Sequence, residues 1–242
     1  MPARVTAASW VLACSVLSAC GGNNTPSLVR EQGKPTTAGT RALEAGSRLL
    51  QDVTPVNGLH IYLNGFHPMR DNPAIQMEAH HYCNQLSEDF AQCALFDGNG
   101  RDARLNGIEY IVSEALFARL AEGEKQYWHP HNYEIFSGQL IGPGLPDVAE
   151  KELMRRKMNS YGKTLHLWMT DSHGKPMDHL PLGEPHLAWS FNHDGEADPA
   201  LVRDRDRRMG IESAAKRSQR ADLADRARPQ SGVDLRTGPS QH

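Results

Sequence analysis

Hydrophobic and polar positions alternate in several short runs, and each such run predicts a strand. Leu59-His60-Ile61-Tyr62-Leu63 is the first. His80 to Leu86 and Phe90 to Phe96 flank Ser87-Glu88-Asp89, which is the pattern of a hairpin. Arg104 to Val112 reads as a further strand. Lys163 to Thr170 alternates, with Leu165, Leu167 and Met169 on one face and His166 and Trp168 on the other. Leu187 to Phe191 supplies the last strand.

Helical spacing lies between these runs. Ala42–Asp52 predicts a short helix, and Leu116, Phe117 and Leu120 recur at helical intervals within Glu114 to Tyr127. The strongest helix signal is Asp147 to Tyr161. Asp147 and Glu150 form a capping box, Arg155, Arg156 and Lys157 favour the C-terminal end, and Gly162 is the stop. Asp198-Pro199 opens another helix that Gly210 ends. These elements sum to an α+β fold, a single domain over residues 45–211, built around a largely antiparallel sheet with flanking helices. Residues 212–242 are expected to form a charged tail, first helical and then disordered.

The N-terminus changes the picture. Arg4, an apolar run from Val5 to Leu17, and Leu17-Ser18-Ala19-Cys20 reproduce a bacterial lipoprotein signal. Residues 1–19 are therefore expected to be removed as a signal peptide, with Cys20 lipidated and residues 20–44 acting as a flexible tether. The expected partner is a membrane, reached through the lipidated N-terminus. Gly21, where no Asp follows the cysteine, directs the expectation to the outer membrane, facing the periplasm or the cell surface. Once Cys14 leaves with the leader and Cys20 is acylated, Cys83 and Cys93 remain as a pair in an oxidising compartment and are expected to form a disulfide.

Composition adds exclusions. Hydrophobic and charged contents of 39% and 23% are those of a globular chain, and a formal net charge of −3 offers nucleic acid no electrostatic attraction. The run Arg203-Asp204-Arg205-Asp206-Arg207-Arg208 reads as a solvated, internally paired helix face, with anionic headgroups as an alternative contact.

Histidine is the compositional oddity, because eleven of the 12 lie between His60 and His193. In Trp128-His129-Pro130-His131-Asn132-Tyr133-Glu134, a strand would turn His129 and His131 to one side, an arrangement suited to a divalent transition metal. Glu134, Glu109 and His80 are the candidate third ligands, and Glu134 needs a bend after Pro130 to join. With Gly123 ahead and Pro181-x-Gly183-x-x-His186 behind, the segment approaches the two metal motifs of cupins. It departs from them in the spacing of Glu134 and in the helix lying between the motifs. His81 with Cys83 is a further alternative, as a base and nucleophile on one strand. For any single histidine, a buried ring hydrogen-bonded to its neighbours is the simpler reading.

One block carries a resemblance. Glu78-Ala79-His80-His81-Tyr82-Cys83, followed by Leu86-Ser87-Glu88-Asp89 and Gln92-Cys93, is similar to the oil body-associated protein family. Gly107 to Ser113, Trp128-His129, His131 to Glu134, Tyr161-Gly162-Lys163-Thr164 and Leu180-Pro181-Leu182-Gly183 continue it in order over residues 55–210. The resemblance implies a domain with no established reaction, whose plant members associate with lipid droplets. The leader and the long charged tail depart from that pattern.

The expected function is a membrane-anchored bacterial lipoprotein of unknown biochemical activity, a non-catalytic binding or scaffolding protein for a lipid or envelope partner. The alternative is a histidine-ligated, metal-dependent enzyme.

Overall fold

The structure, a computed structural model, describes residues 25–228. Cys20, the leader and residues 229–242 lie outside the described residues. In chain order the elements are α1 (Ala38–Leu50), α2 (Thr54–Asn57), β1 (Ile61–Pro68), β2 (Gln76–Ser87), β3 (Phe90–Phe96) and β4 (Leu105–Val112). There follow α3 (Glu114–Ala118), α4 (Glu122–Lys125), β5 (His129–Pro130), α5 (Asn132–Phe136), α6 (Asp147–Lys157) and β6 (Tyr161–His166). The chain continues with β7 (Asp171–Ser172), β8 (Lys175–Pro176), β9 (His186–Ala188), α7 (Pro199–Met209), α8 (Ser213–Gln219) and α9 (Ala221–Ala224).

Alternation builds the centre of the sheet. In β3, Ala91, Cys93 and Leu95 are buried while their neighbours are half-buried, the period-two pattern of a strand with one covered face. The β2–β3 hairpin turns at Glu88-Asp89, and every pairing in the sheet is antiparallel, in the order β1-β2-β3-β4-β6-β5 with β9 also on β6. This bears out the α+β expectation.

The sheet curls until its ends meet. Met69, just past β1, bridges Ala188 of β9, and the Trp189 and Arg70 amides donate to the Pro68 and Leu187 carbonyls at 2.8 and 2.9 Å. One register row runs Ile61, Cys83, Cys93, Glu109 and Thr164, and the next runs Leu63, His81, Leu95, Gly107 and His166. Residues opposite one another in a ladder share a face, so both rows point into the curl.

Helices close that face. Ile135 of α5, Met154 of α6 and Leu223 of α9 pack on Leu63 in one apolar cluster, and all three are fully buried. Truncating such a side chain to alanine costs about 2–5 kcal/mol. The packed body therefore continues past residue 211, through α8 and α9.

Five expectations change in three dimensions. Glu114 to Tyr127 forms two short helices rather than one, and α6 stops at Lys157, leaving Gly162 inside β6. No capping box forms at α6. Its N-cap is Pro146, and the two carboxylates are used elsewhere: Asp147 accepts from Lys216, and Glu150 accepts from the Gly142 amide at 2.9 Å and pairs with Arg220 at 3.3 Å. The Arg203–Arg208 run is not a uniformly solvated face. Arg205 is fully buried, donating to Asn64 Oδ1 and the Gln139 carbonyl, and Arg208 reaches Glu78. Residues 25–31, read as part of a tether, are seated on the domain, with Val29 fully buried and the Ser27 hydroxyl donating to Asp97 at 2.6 Å.

Candidate metal centre

The H-x-H pair enters the curl from its edge. β5 is only two residues long, pairing His129 with Gly162 and Pro130 with Tyr161, and the His131 amide still donates to the Ser160 carbonyl. The chain then turns into α5. Helical i,i+3 spacing, rather than a bulge, returns Glu134 to the side of His131, with Oε1 3.9 Å from His131 Nε2.

Both histidines converge on Glu109 of β4. Their Nε2 atoms lie 3.2 Å apart, and Glu109 Oε1 is 3.1 Å from that of His131 and 3.6 Å from that of His129. Glu109 Oε2 faces the other way, 3.0 Å from His81 Nε2. His81 Nε2 in turn lies 3.2 Å from His67 Nε2, and His67 Nδ1 lies 3.0 Å from His166 Nε2. All six residues are at most 4% exposed. Glycine makes the convergence feasible at residue 162, where a Cβ would stand 2.5 Å from His131 Nε2.

Protonation follows from burial and mutual charge. Burial pushes His129 and His166 down to about 3, with a neighbouring imidazole adding to the effect in each case: His131 for His129 and His81 for His166. Burial, then His81 and His166, holds His67 well below the usual range. For Glu109 burial acts upward, but hydrogen bonds from His131 and His81 and electrostatic attraction to the same two rings together outweigh it and keep the carboxyl well below the usual range. Glu134 goes the opposite way, because burial and the Glu109 charge raise it well above the ordinary carboxylate value. The interior thus combines three imidazoles held uncharged, those of His67, His129 and His166, with one carboxylate and one protonated carboxyl.

Hydrogen bonds alone serve this geometry poorly. An imidazole Nε2 carries at most one proton, so His131 Nε2 can donate to Glu109 or to His129 but not well to both. His81 Nε2 faces the same choice between Glu109 and His67. A cation between His129, His131 and Glu109 accepts the lone pairs that converge there at once, and imidazole with carboxylate is the ligand set of a divalent transition ion. Outer contacts favour this use. His131 Nδ1 lies 2.8 Å from Ser160 Oγ, which leaves Nε2 for the interior.

The other candidates fall outside the cluster. His80 and His81 are adjacent in a strand and point to opposite faces, so His80 sits on the outer side against the Tyr62 hydroxyl at 2.8 Å and Glu78 at 3.2 Å. It is not a third ligand. Gly123 belongs to α4 and His186 is exposed on β9, so the cupin-like motif pair does not assemble. Cys83 is bonded to Cys93, with Cα atoms 4.0 Å apart directly across the hairpin, which leaves no free thiol for His81 to activate.

Comparison with known proteins places this site in a family. Residues 53–224 match the family model described as a protein of unknown function, DUF1264. The chain is 38% identical over 201 residues to oil body-associated protein 1A of Zea mays, covering 83% of this chain and 82% of the relative. It belongs to the oil body-associated protein family. A second relative in the family, protein 1B of Arabidopsis thaliana, is 35% identical across 78% of this chain and 77% of its own length. No solved structure matches the chain. The family match spans every histidine and carboxylate of the cluster and runs through α9, in agreement with the packed helices beyond residue 211.

Proposed function

We propose that this member of the oil body-associated protein family is a membrane-tethered metalloprotein that holds a divalent transition ion on His129, His131 and Glu109. The observation that carries the reading is the 3.2 Å separation of the two Nε2 atoms beside a buried carboxylate oxygen. Two imidazoles bound to one ion at about 2.0–2.1 Å place their nitrogens about 2.9–3.4 Å apart. Gly162 leaves the room that this arrangement needs.

When bound, such an ion supplies Lewis acidity to whatever occupies its open position. Glu134 holds a proton close by and can give or recover it at Oε1. Leu63, Leu140 and Ile111 supply the apolar lining of the adjoining pocket, which has room for about one water-sized species. That small volume favours a second reading, in which the ion is structural and the domain is a non-catalytic binding or scaffolding protein.

The membrane tether rests on Leu17-Ser18-Ala19-Cys20, with lipid on Cys20 and the outer membrane, on its periplasmic or outer face, as the location. The relatives' description as oil body-associated supports a lipid surface as partner. The metal content of protein purified without an affinity tag tests the central reading. Stoichiometric transition metal, lost in the His129→Ala/His131→Ala double variant, is expected. Wild-type protein that neither carries nor takes up zinc, manganese or iron would refute it.

A further inference from the structure

We infer that the interior holds a second metal position, made by His67, His81 and Glu109, so that Glu109 bridges two ions. The inference rests on the metal reading proposed above and extends it from one ion to a pair. Among the described residues, the ligand atoms that lie within 4.8 Å of one another form two threes, His67-His81-Glu109 and Glu109-His129-His131. They share only Glu109. A single ion cannot gather all four histidines, because the two pairs do not close around one point.

The carboxylate is oriented for bridging. Oε2 faces His81 at 3.0 Å and Oε1 faces His131 at 3.1 Å, so each oxygen addresses a different pair of imidazoles. Within each pair the Nε2 atoms are 3.2 Å apart, the separation expected for two ligands on one ion.

The outer contacts repeat as well. His67 Nδ1 lies 3.0 Å from His166 Nε2, as His131 Nδ1 lies 2.8 Å from Ser160 Oγ. With His166 accepting the Nδ1 proton, His67 presents an unprotonated Nε2 to the interior. His166 is thereby a positioning residue; across the ladder from it Gly107 places no side chain against the ring, where a Cβ would stand 2.5 Å from the Leu165 carbonyl oxygen and 3.2 Å from His166 Nδ1. Three ligands for each ion with a shared carboxylate suit first-row divalent ions such as Mn²⁺, Fe²⁺ or Zn²⁺, and two-metal sites of this kind hold their ions about 3.5–4 Å apart.

The test uses the full-length protein loaded with Mn²⁺ and freed of excess ion by gel filtration. Two manganese per chain and an exchange-coupled electron paramagnetic resonance spectrum are expected. His67→Asn should retain one ion with an uncoupled spectrum. One ion per chain in the wild type, uncoupled and unchanged by His67→Asn, would overturn the second site while leaving the first intact. No ion in the wild type would overturn both. The wild-type count and spectrum decide by themselves, so a His67 variant that fails to fold does not shelter the inference.

Discussion

Gly162 lies so close to Glu109 that a Cβ at residue 162 would stand 2.2 Å from Oε1. The same atom would crowd His131 Nε2 and, at 2.8 Å, His129 Cε1, so three ligands meet over one missing side chain. Its backbone is not in the left-handed region. Crowding, rather than conformational freedom, is therefore what requires glycine there.

Gly162→Ala isolates that crowding. The methyl group must displace Glu109 or the two imidazoles, so metal affinity should fall at least tenfold. Overpacking of this kind costs about 1–3 kcal/mol of stability, which should leave the fold intact. Calorimetric titration with zinc beside a thermal melt checks both. Unchanged affinity would remove Gly162 and its neighbours from the site.

The Cys83–Cys93 bond closes a short loop across the hairpin and should contribute about 2–3 kcal/mol. It also sits beside the centre, since Cys93 pairs with Glu109 in the ladder. With Cys14 and Cys20 replaced by Ser, thiol counting on denatured, unreduced protein should find none. Two thiols per chain would contradict the bond.

Asp171 supplies a pH test remote from the metal ligands. It is buried, and that burial, followed by the charges of Glu78 and Asp97, raises its pKa from 3.8 to about 7. Between those values the folded chain keeps a proton that the unfolded chain has released. The associated stability is therefore complete below pH 3.8 and is lost as pH rises through about 7. Asp171→Asn stays neutral and should melt higher than wild type at pH 8, by an amount on the order of 1–4 kcal/mol, with little difference near pH 4. A gain that does not grow with pH would point to some other cause.

Much of the sheet was legible because its strands obey period two and its hairpin turns at charged residues. α7 was legible from both ends: Asp198 accepts from the Ala200 amide and Gly210 takes the left-handed conformation at φ 64°. His129 and His131 were legible as a pair because the spacing is local. Alternation also shows that His80 and His81 must face opposite ways, but not which of them faces inward. His67 and His166 lie 99 residues apart, and only closure of β9 onto β1 brings them together. Asp147 and Glu150 looked like a cap because nothing local reveals Lys216 and Arg220 as their partners.

The tether has its own test. Cys20→Ser should release the protein from the membrane fraction and abolish palmitate labelling. Continued labelling and sedimentation with membranes would sink the lipoprotein reading without touching the metal centre.

X-ray absorption at the metal edge of zinc-loaded, full-length protein reads the ligand shell of the His129–His131–Glu109 centre itself. A shell of nitrogen and oxygen at about 2.0–2.1 Å with the outer-shell scattering of imidazole rings is expected. His131→Ala should weaken that imidazole signature. A shell of oxygen alone, unchanged by the substitution, would contradict a histidine-ligated centre.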